Sequence, residues 1–219
     1  MIRHMSLRRL AETCAAVALL TLGTQAAHAQ SVIDRWSSIT VPPPPPLAPA
    51  SVDSAKAALL ILDMYPTSCN ATQRPTCVPT IPRIQRLLAD ARAHKMAVIY
   101  SAGVASANGP SLPVDALTPL PGEPTVRSGA DKFMGSDLEK ILREKGIETV
   151  IVVGTSADGA VLYTGSHASL LGFKVVVPVD GMSSANPFAE LYTAWHFKNS
   201  TASVTQRVTL TSTELITLK

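Results

Sequence analysis

The sequence predicts an α/β domain, a three-layer αβα sandwich around a parallel sheet of about six strands. Two observations carry this. The apolar segments "AALLILD" (57–63), "MAVIYS" (96–101), "ETVIVVG" (148–154) and "KVVVPVD" (174–180) are continuous rather than alternating, as strands covered on both faces must be. Segments of helical spacing separate them, so strand and helix alternate and right-handed crossovers set the strands parallel.

Each element has its own local reason. "VPPPPPLAP" (41–49) can neither pair as a central strand nor continue a helix, and is expected to be an extended leader. "IPRIQRLLADARAHK" (81–95) places Ile84, Leu87, Leu88 and Ala91 on one helical face. Residues 103–124 are rich in Gly, Pro and Ser and predict a long surface loop. "SDLEKILREKG" (136–146) opens on a Ser cap with an early acid and closes on Gly, which predicts a helix. A further helix is expected from about Gly159 to Leu171, another at 187–199, and a last strand in "RVTLTS" (207–212). No internal repeat is visible.

The 219 residues, 46% of them hydrophobic, suffice for one domain with a full core. Arg3, Arg8 and Arg9 precede an apolar run from Cys14 to Gly23, and "AHA" at 27–29 is an A-x-A cleavage signal, so residues 1–29 are expected to be a cleaved export signal. The run is too short to span a bilayer, and a periplasmic or secreted protein with no membrane attachment after cleavage follows. The expected organisation is a signal at 1–29, a Pro-rich leader at 30–56 and the domain at 57–219. Removing three Arg and one Glu with the signal lowers the formal charge from +3 to 3 − 2 = +1. With no basic patch interleaved with aromatics, nucleic acid is excluded as a partner. Cys69 and Cys77 in "TSCNATQRPTC" are expected to form a disulfide, since their spacing matches no common zinc pattern and no His is near.

Ligands of open parallel sheets sit beyond the carboxyl ends of the strands. Asp63 after the first strand, "GTSADGA" (154–160) after the most apolar one and Asp180 after the next all fall there. Asp63 follows five aliphatic residues and is the best acid–base candidate; its alternative use is to cap the following turn. The turn at 154–160 can point backbone N–H groups at an oxyanion or a carboxylate. Gly154 and Gly159 do not form a G-x-G-x-x-G pattern, so no dinucleotide cofactor is expected, and no other cofactor either. "GTSAD" lacks the last Gly of a nucleophile elbow, and a base for Ser156 could come only from His167 or His196.

"ALLILDM" and "DKFMGSDLEKILREKGIETVIVVGTSADGAVLYTGSHASLLGFKVVVPVDGMSS", in this order and spacing, resemble the isochorismatase-like hydrolases, the superfamily that includes nicotinamidases and carbamoylsarcosine amidases. The resemblance runs from about Ala57 to Ser184 and implies a Rossmann-like sheet with the site at its carboxyl edge. It further implies an Asp–Lys–Cys triad in which Asp63 is the acid. The cysteine position is Ala160, which carries no thiol, so this chain is a cysteine-hydrolase homologue without the nucleophile. The lysine role falls to Lys132 or to Arg127, and Lys132 is preferred because an ammonium can share a proton and a guanidinium cannot. The resemblance also implies a cis peptide at Thr155–Ser156 and an oxyanion hole from the N–H groups of Ser156 and Ala160. Arg127 and Tyr65 are expected against substrate. The superfamily's D-x-H metal site has no counterpart, because Tyr65 follows Met64, so no metal is expected.

Two functions follow. One is an exported hydrolase of a small molecule working by carboxylate acid–base chemistry, as in members that cleave a vinyl ether without the cysteine. The other is an exported binding protein that kept the fold and lost the reaction. A homodimer is a frequent arrangement in the superfamily. Tyr192 or Phe197 is the expected contribution to it, with Phe188, Leu191 and Trp195 left for the core.

Overall fold

The computed structural model describes residues 31–103 and 113–219. The expected export signal and the central part of the 103–124 loop lie outside these residues. The chain divides after Val41. Before that point, Val32–Arg35 forms one helical turn closed by reciprocal Ser31 and Asp34 hydrogen bonds.

From Pro42 onward the core is a parallel sheet. Its strands are β2 (Ala57–Leu62), β3 (Ala97–Ala102), β4 (Thr125–Arg127), β5 (Thr149–Thr155), β6 (Lys174–Pro178) and β8 (Val208–Thr211), in the spatial order β4-β3-β2-β5-β6-β8. The two-residue β7 (Met182–Ser183) continues alongside the end of β5. All pairings are parallel, and the strand order reverses between β2 and β5, where Ala57–Leu62 runs against Thr149–Gly154. This crevice is where such folds take ligands.

Successive residues of each strand serve opposite layers. Leu60, Leu62, Val150 and Val152 pack on one face with α2 (Leu138–Glu144), α3 (Leu162–Leu170) and α4 (Pro187–Asn199). Leu59, Ile61, Ile151 and Val153 pack on the other with α1 (Ile81–Ala93), through Ile84, Leu87, Leu88 and Ala91. The sequence runs are continuous because both faces are covered. The predicted three-layer sandwich is what forms.

The chain is already structured before position 57. Residues 50–56, read from sequence as leader, carry β1 (Ala50–Val52), which pairs in parallel with β9 (Ile216–Leu218). Ala48 N–H donates to Leu210 O at 2.9 Å, so the end of the polyproline segment is tied to β8. Extended proline backbone cannot enter the central sheet, but it can lie along the domain and lead into β1, which forms a separate two-stranded sheet with β9.

The aromatic assignments on α4 are also corrected. Phe197, expected at a subunit interface, is 1% exposed, whereas Phe188 and Trp195, expected in the core, are 54% and 36% exposed. The buried face of α4 is Thr193, Ala194 and Phe197. Gly165 in α3 makes room for the Phe197 ring, because a Cβ there would lie 2.8 Å from it.

Candidate functional site

Asp63 turns the chain out of the sheet at the end of β2 with φ of 52°, a left-handed conformation unusual for a residue with a side chain. Its surroundings hold it there. Its N–H donates to Ser101 Oγ at 3.2 Å, and its carbonyl accepts from Tyr65 N–H and Ser68 Oγ, both at 2.9 Å. Both carboxylate oxygens are occupied by donors: Ser101 Oγ reaches Oδ1 at 2.8 Å and Lys132 Nζ reaches Oδ2 at 2.6 Å. Both oxygens of the carboxyl group therefore serve as hydrogen-bond acceptors.

Lys132 is 1% exposed and also donates to Gly129 O at 2.7 Å. The loop carrying it is clamped from both sides. Lys132 N–H donates to Thr164 Oγ1 at 3.1 Å. Asp131 accepts Phe133 N–H at 3.0 Å and pairs with His167 Nδ1 at 2.7 Å, while the Phe133 and His167 rings lie 5.0 Å apart. Of the two cations that the sequence offered, one touches the acid. Lys132 pairs with Asp63, and Arg127, on the edge strand β4, is exposed and does not line the cavity described below. The Arg127 charge nevertheless reaches Tyr65. Burial, followed by the Asp63 charge, pushes the Tyr65 phenol above its ordinary range, and Arg127 opposes this. The phenol donates to Ser101 O.

The third wall is the turn after β5. Gly154 has φ of +131°, and a Cβ there would lie 2.1 Å from Leu62 O, so only glycine lets β5 approach β2 this closely. The peptide Thr155–Ser156 is cis. Ala157–Val161 then forms a short π-helical turn leading into α3. Ser156, Gly159 and Ala160 from this turn face Asp63, Tyr65, Ser68, Lys132 and Arg74 across a cavity of about 350 Å³. Ala160 is 3% exposed. The two cysteines among the described residues, Cys69 and Cys77, are joined in a disulfide, as expected. Asp158 points away and accepts from Ser184 Oγ at 2.7 Å. Asp180 is likewise occupied elsewhere, by Thr213 and Arg83. His167, one of the two bases considered for Ser156, is engaged with Asp131 instead.

Arg74 and the Asp131–His167 clamp were missed from sequence. Arg74 lies in a polar loop with no periodicity to mark it. Asp131 and His167 are 36 residues apart and meet only through the packing of the loop on α3.

The arrangement brings a carboxylate, the ammonium paired with it and the turn at Ser156–Ala160 onto one cavity. The isochorismatase domain family matches residues 57–208. The chain is 28% identical over 149 residues to the N-carbamoylsarcosine amidase of an Arthrobacter species, spanning 56% of this chain and 54% of that protein. It thus covers about half the length of that relative. An isochorismatase family protein from Desulfovibrio vulgaris superposes with a TM-score of 0.64 at 24% identity, over 73% of this chain and 95% of that one. The N-carbamoylsarcosine amidase of Thermoplasma acidophilum does so with a TM-score of 0.63 at 20% identity, over 73% and 97%. These two likenesses speak to the fold.

Proposed function

The chain belongs to the isochorismatase family, and from that premise we propose that it is an exported hydrolase of a small molecule in which Asp63, not a thiolate, carries the chemistry. The observation that carries the reading is the Asp63–Lys132 pair at 2.6 Å on the wall of a cavity whose opposite side holds Ala160.

Asp63 accepts a proton from water as the oxygen attacks the scissile carbonyl carbon. The carbonyl oxygen becomes an oxyanion facing the N–H groups of Ser156 and Ala160. Collapse of the tetrahedral species expels the leaving group, which takes the proton back from Asp63. Lys132 holds the carboxylate in register through both protonation states and keeps it from swinging into solvent. No covalent acyl-enzyme forms in this scheme. Tyr65 contributes an apolar ring to the wall. Arg127 acts on the site through its charge.

Export is part of the proposal. The basic, apolar and A-x-A sequence of residues 1–29 supports it, as does a disulfide, which persists in oxidising compartments.

The test is a turnover screen of the purified protein beside Asp63→Asn, with isochorismate, nicotinamide, N-carbamoyl compounds and simple esters. Turnover that disappears in the variant is the expected result. Ala160 supports a second reading, a binding protein whose catalyst has been retired. Its signature is no turnover in the native protein together with amidase activity gained by Ala160→Cys.

A further inference from the structure

We infer that Arg74 is an anion-recognition residue of this cavity, and that the ligand is a small molecule bearing a carboxylate. This rests on the reading of the cavity as a ligand site and names the class of ligand.

Three observations lead here. The first is charge. Arg74 lines the cavity with Asp63, Lys132 and Ser156. Lys132 is neutralised by Asp63, and no carboxylate among the described residues pairs with Arg74. One uncompensated positive charge is left facing the site. Arg83, Arg92 and Arg143 bind Asp180, Glu123 and Glu139, and Arg127 lines no part of this cavity.

The second is construction. Arg74 sits inside the loop closed by the Cys69–Cys77 disulfide. Asn70 Oδ1 accepts from Thr72 and Gln73 N–H at 3.0 and 2.8 Å, and Arg74 N–H donates to Asn70 O at 3.0 Å. Cys77 N–H donates to Arg74 O at 2.9 Å. The loop is in turn docked on α4, where Thr76 Oγ1 donates to Glu190 Oε1 at 2.6 Å. The backbone on both sides of Arg74 is therefore held, which lowers the ordering cost of binding. The third is chemistry: Arg74 is half-buried, and the planar donor fork of a guanidinium matches a carboxylate.

The test is calorimetric titration of the purified native protein with benzoate and with benzyl alcohol, a pair of similar size of which neither can be hydrolysed. Benzoate is expected to bind saturably, and to bind about tenfold or more weakly in Arg74→Gln, with benzyl alcohol unchanged. Arg74→Lys restores part of the loss, and Arg86→Gln, outside the cavity, changes nothing. Reducing the disulfide with dithiothreitol weakens benzoate more than benzyl alcohol. The inference is overturned if benzoate fails to bind, if the two ligands bind alike, or if Arg74→Gln leaves benzoate affinity intact. None of these readouts depends on turnover. A native protein that binds benzoate through Arg74 but turns over no substrate would sink the hydrolase reading and leave the anion site standing, and turnover lost in Asp63→Asn with benzoate unbound would do the opposite.

Discussion

Lys132 has 1% of its side chain exposed and Asp63 has 22%, so the two halves of the pair are not equivalent. Asp63→Ala strands a buried ammonium with only Gly129 O as partner, and is expected to cost about 3–5 kcal/mol of stability. Lys132→Met leaves a carboxylate that keeps Ser101 and reaches water, at about 1–2 kcal/mol. Both variants should lose about 10³-fold in turnover, because Asp63→Ala removes the proposed base and Lys132→Met removes the cation that orients it. Urea melts beside initial rates check this, and equal stability losses would refute the asymmetry. Asp63 was legible in the sequence because it ends a run of five aliphatic residues where such folds bind ligands. Lys132 was legible only as one of two cations. Its partner depended on how the 128–136 loop folds back on α3, which no local pattern encodes.

Among elements, α1 is joined to the segment before β4 by Arg92, which grips Glu123 through two bonds of 2.8 Å and donates to Thr118 O at 2.9 Å. Burial pushes the Glu123 carboxyl up, but Arg92 and the Leu120 N–H outweigh it and hold it below the ordinary carboxylate range. A depressed carboxyl stabilises the fold above its unfolded pKa of about 4.3, and the benefit is lost as pH falls through the lower folded value. Glu123→Gln should therefore be less stable than the native protein at neutral pH, by about 1–2 kcal/mol, with the gap closing below about pH 4. Thermal melts from pH 7 to pH 3 read this directly, and a gap that widened in acid would reverse the assignment. At the junction of β2 and β5, Gly154→Ala must displace Leu62 O and adopt φ of +131°, which should cost about 3 kcal/mol or more and perturb Asp63. The long strands β2, β3, β5 and β6 were legible from their apolar runs. β1, β4, β7 and β9 have two or three residues each, too few for any period to show.

At the scale of the molecule, a truncation beginning at Ala57 removes β1, the partner of β9. It should be several kcal/mol less stable in urea than one beginning at Pro42, through the lost burial of Ala50 and Val52. Comparable midpoints would show that residues 42–56 are dispensable. Export predicts a mature N-terminus at Gln30 when the full chain is expressed in a secreting bacterium, read by mass spectrometry of the periplasmic fraction. An intact Met1 terminus in the cytoplasm would count against it. A homodimer, if it forms, has Phe188, Tyr192 and Trp195 available on the exposed face of α4, and light scattering after size exclusion decides it.

The sequence by itself determined the layers of this protein. Strand burial on two faces leaves an unbroken apolar run, and a helix leaves a period of 3.6, so the sandwich and its family were readable from residue order. It also determined that Ala160 has no thiol and that an acid ends the first long strand. Tertiary structure alone decided which cation meets Asp63, that Arg74 lines the same cavity, and that a proline-rich segment leads into a strand paired with the end of the chain. These are contacts between residues far apart in sequence. Packing sets them, and no local pattern records packing.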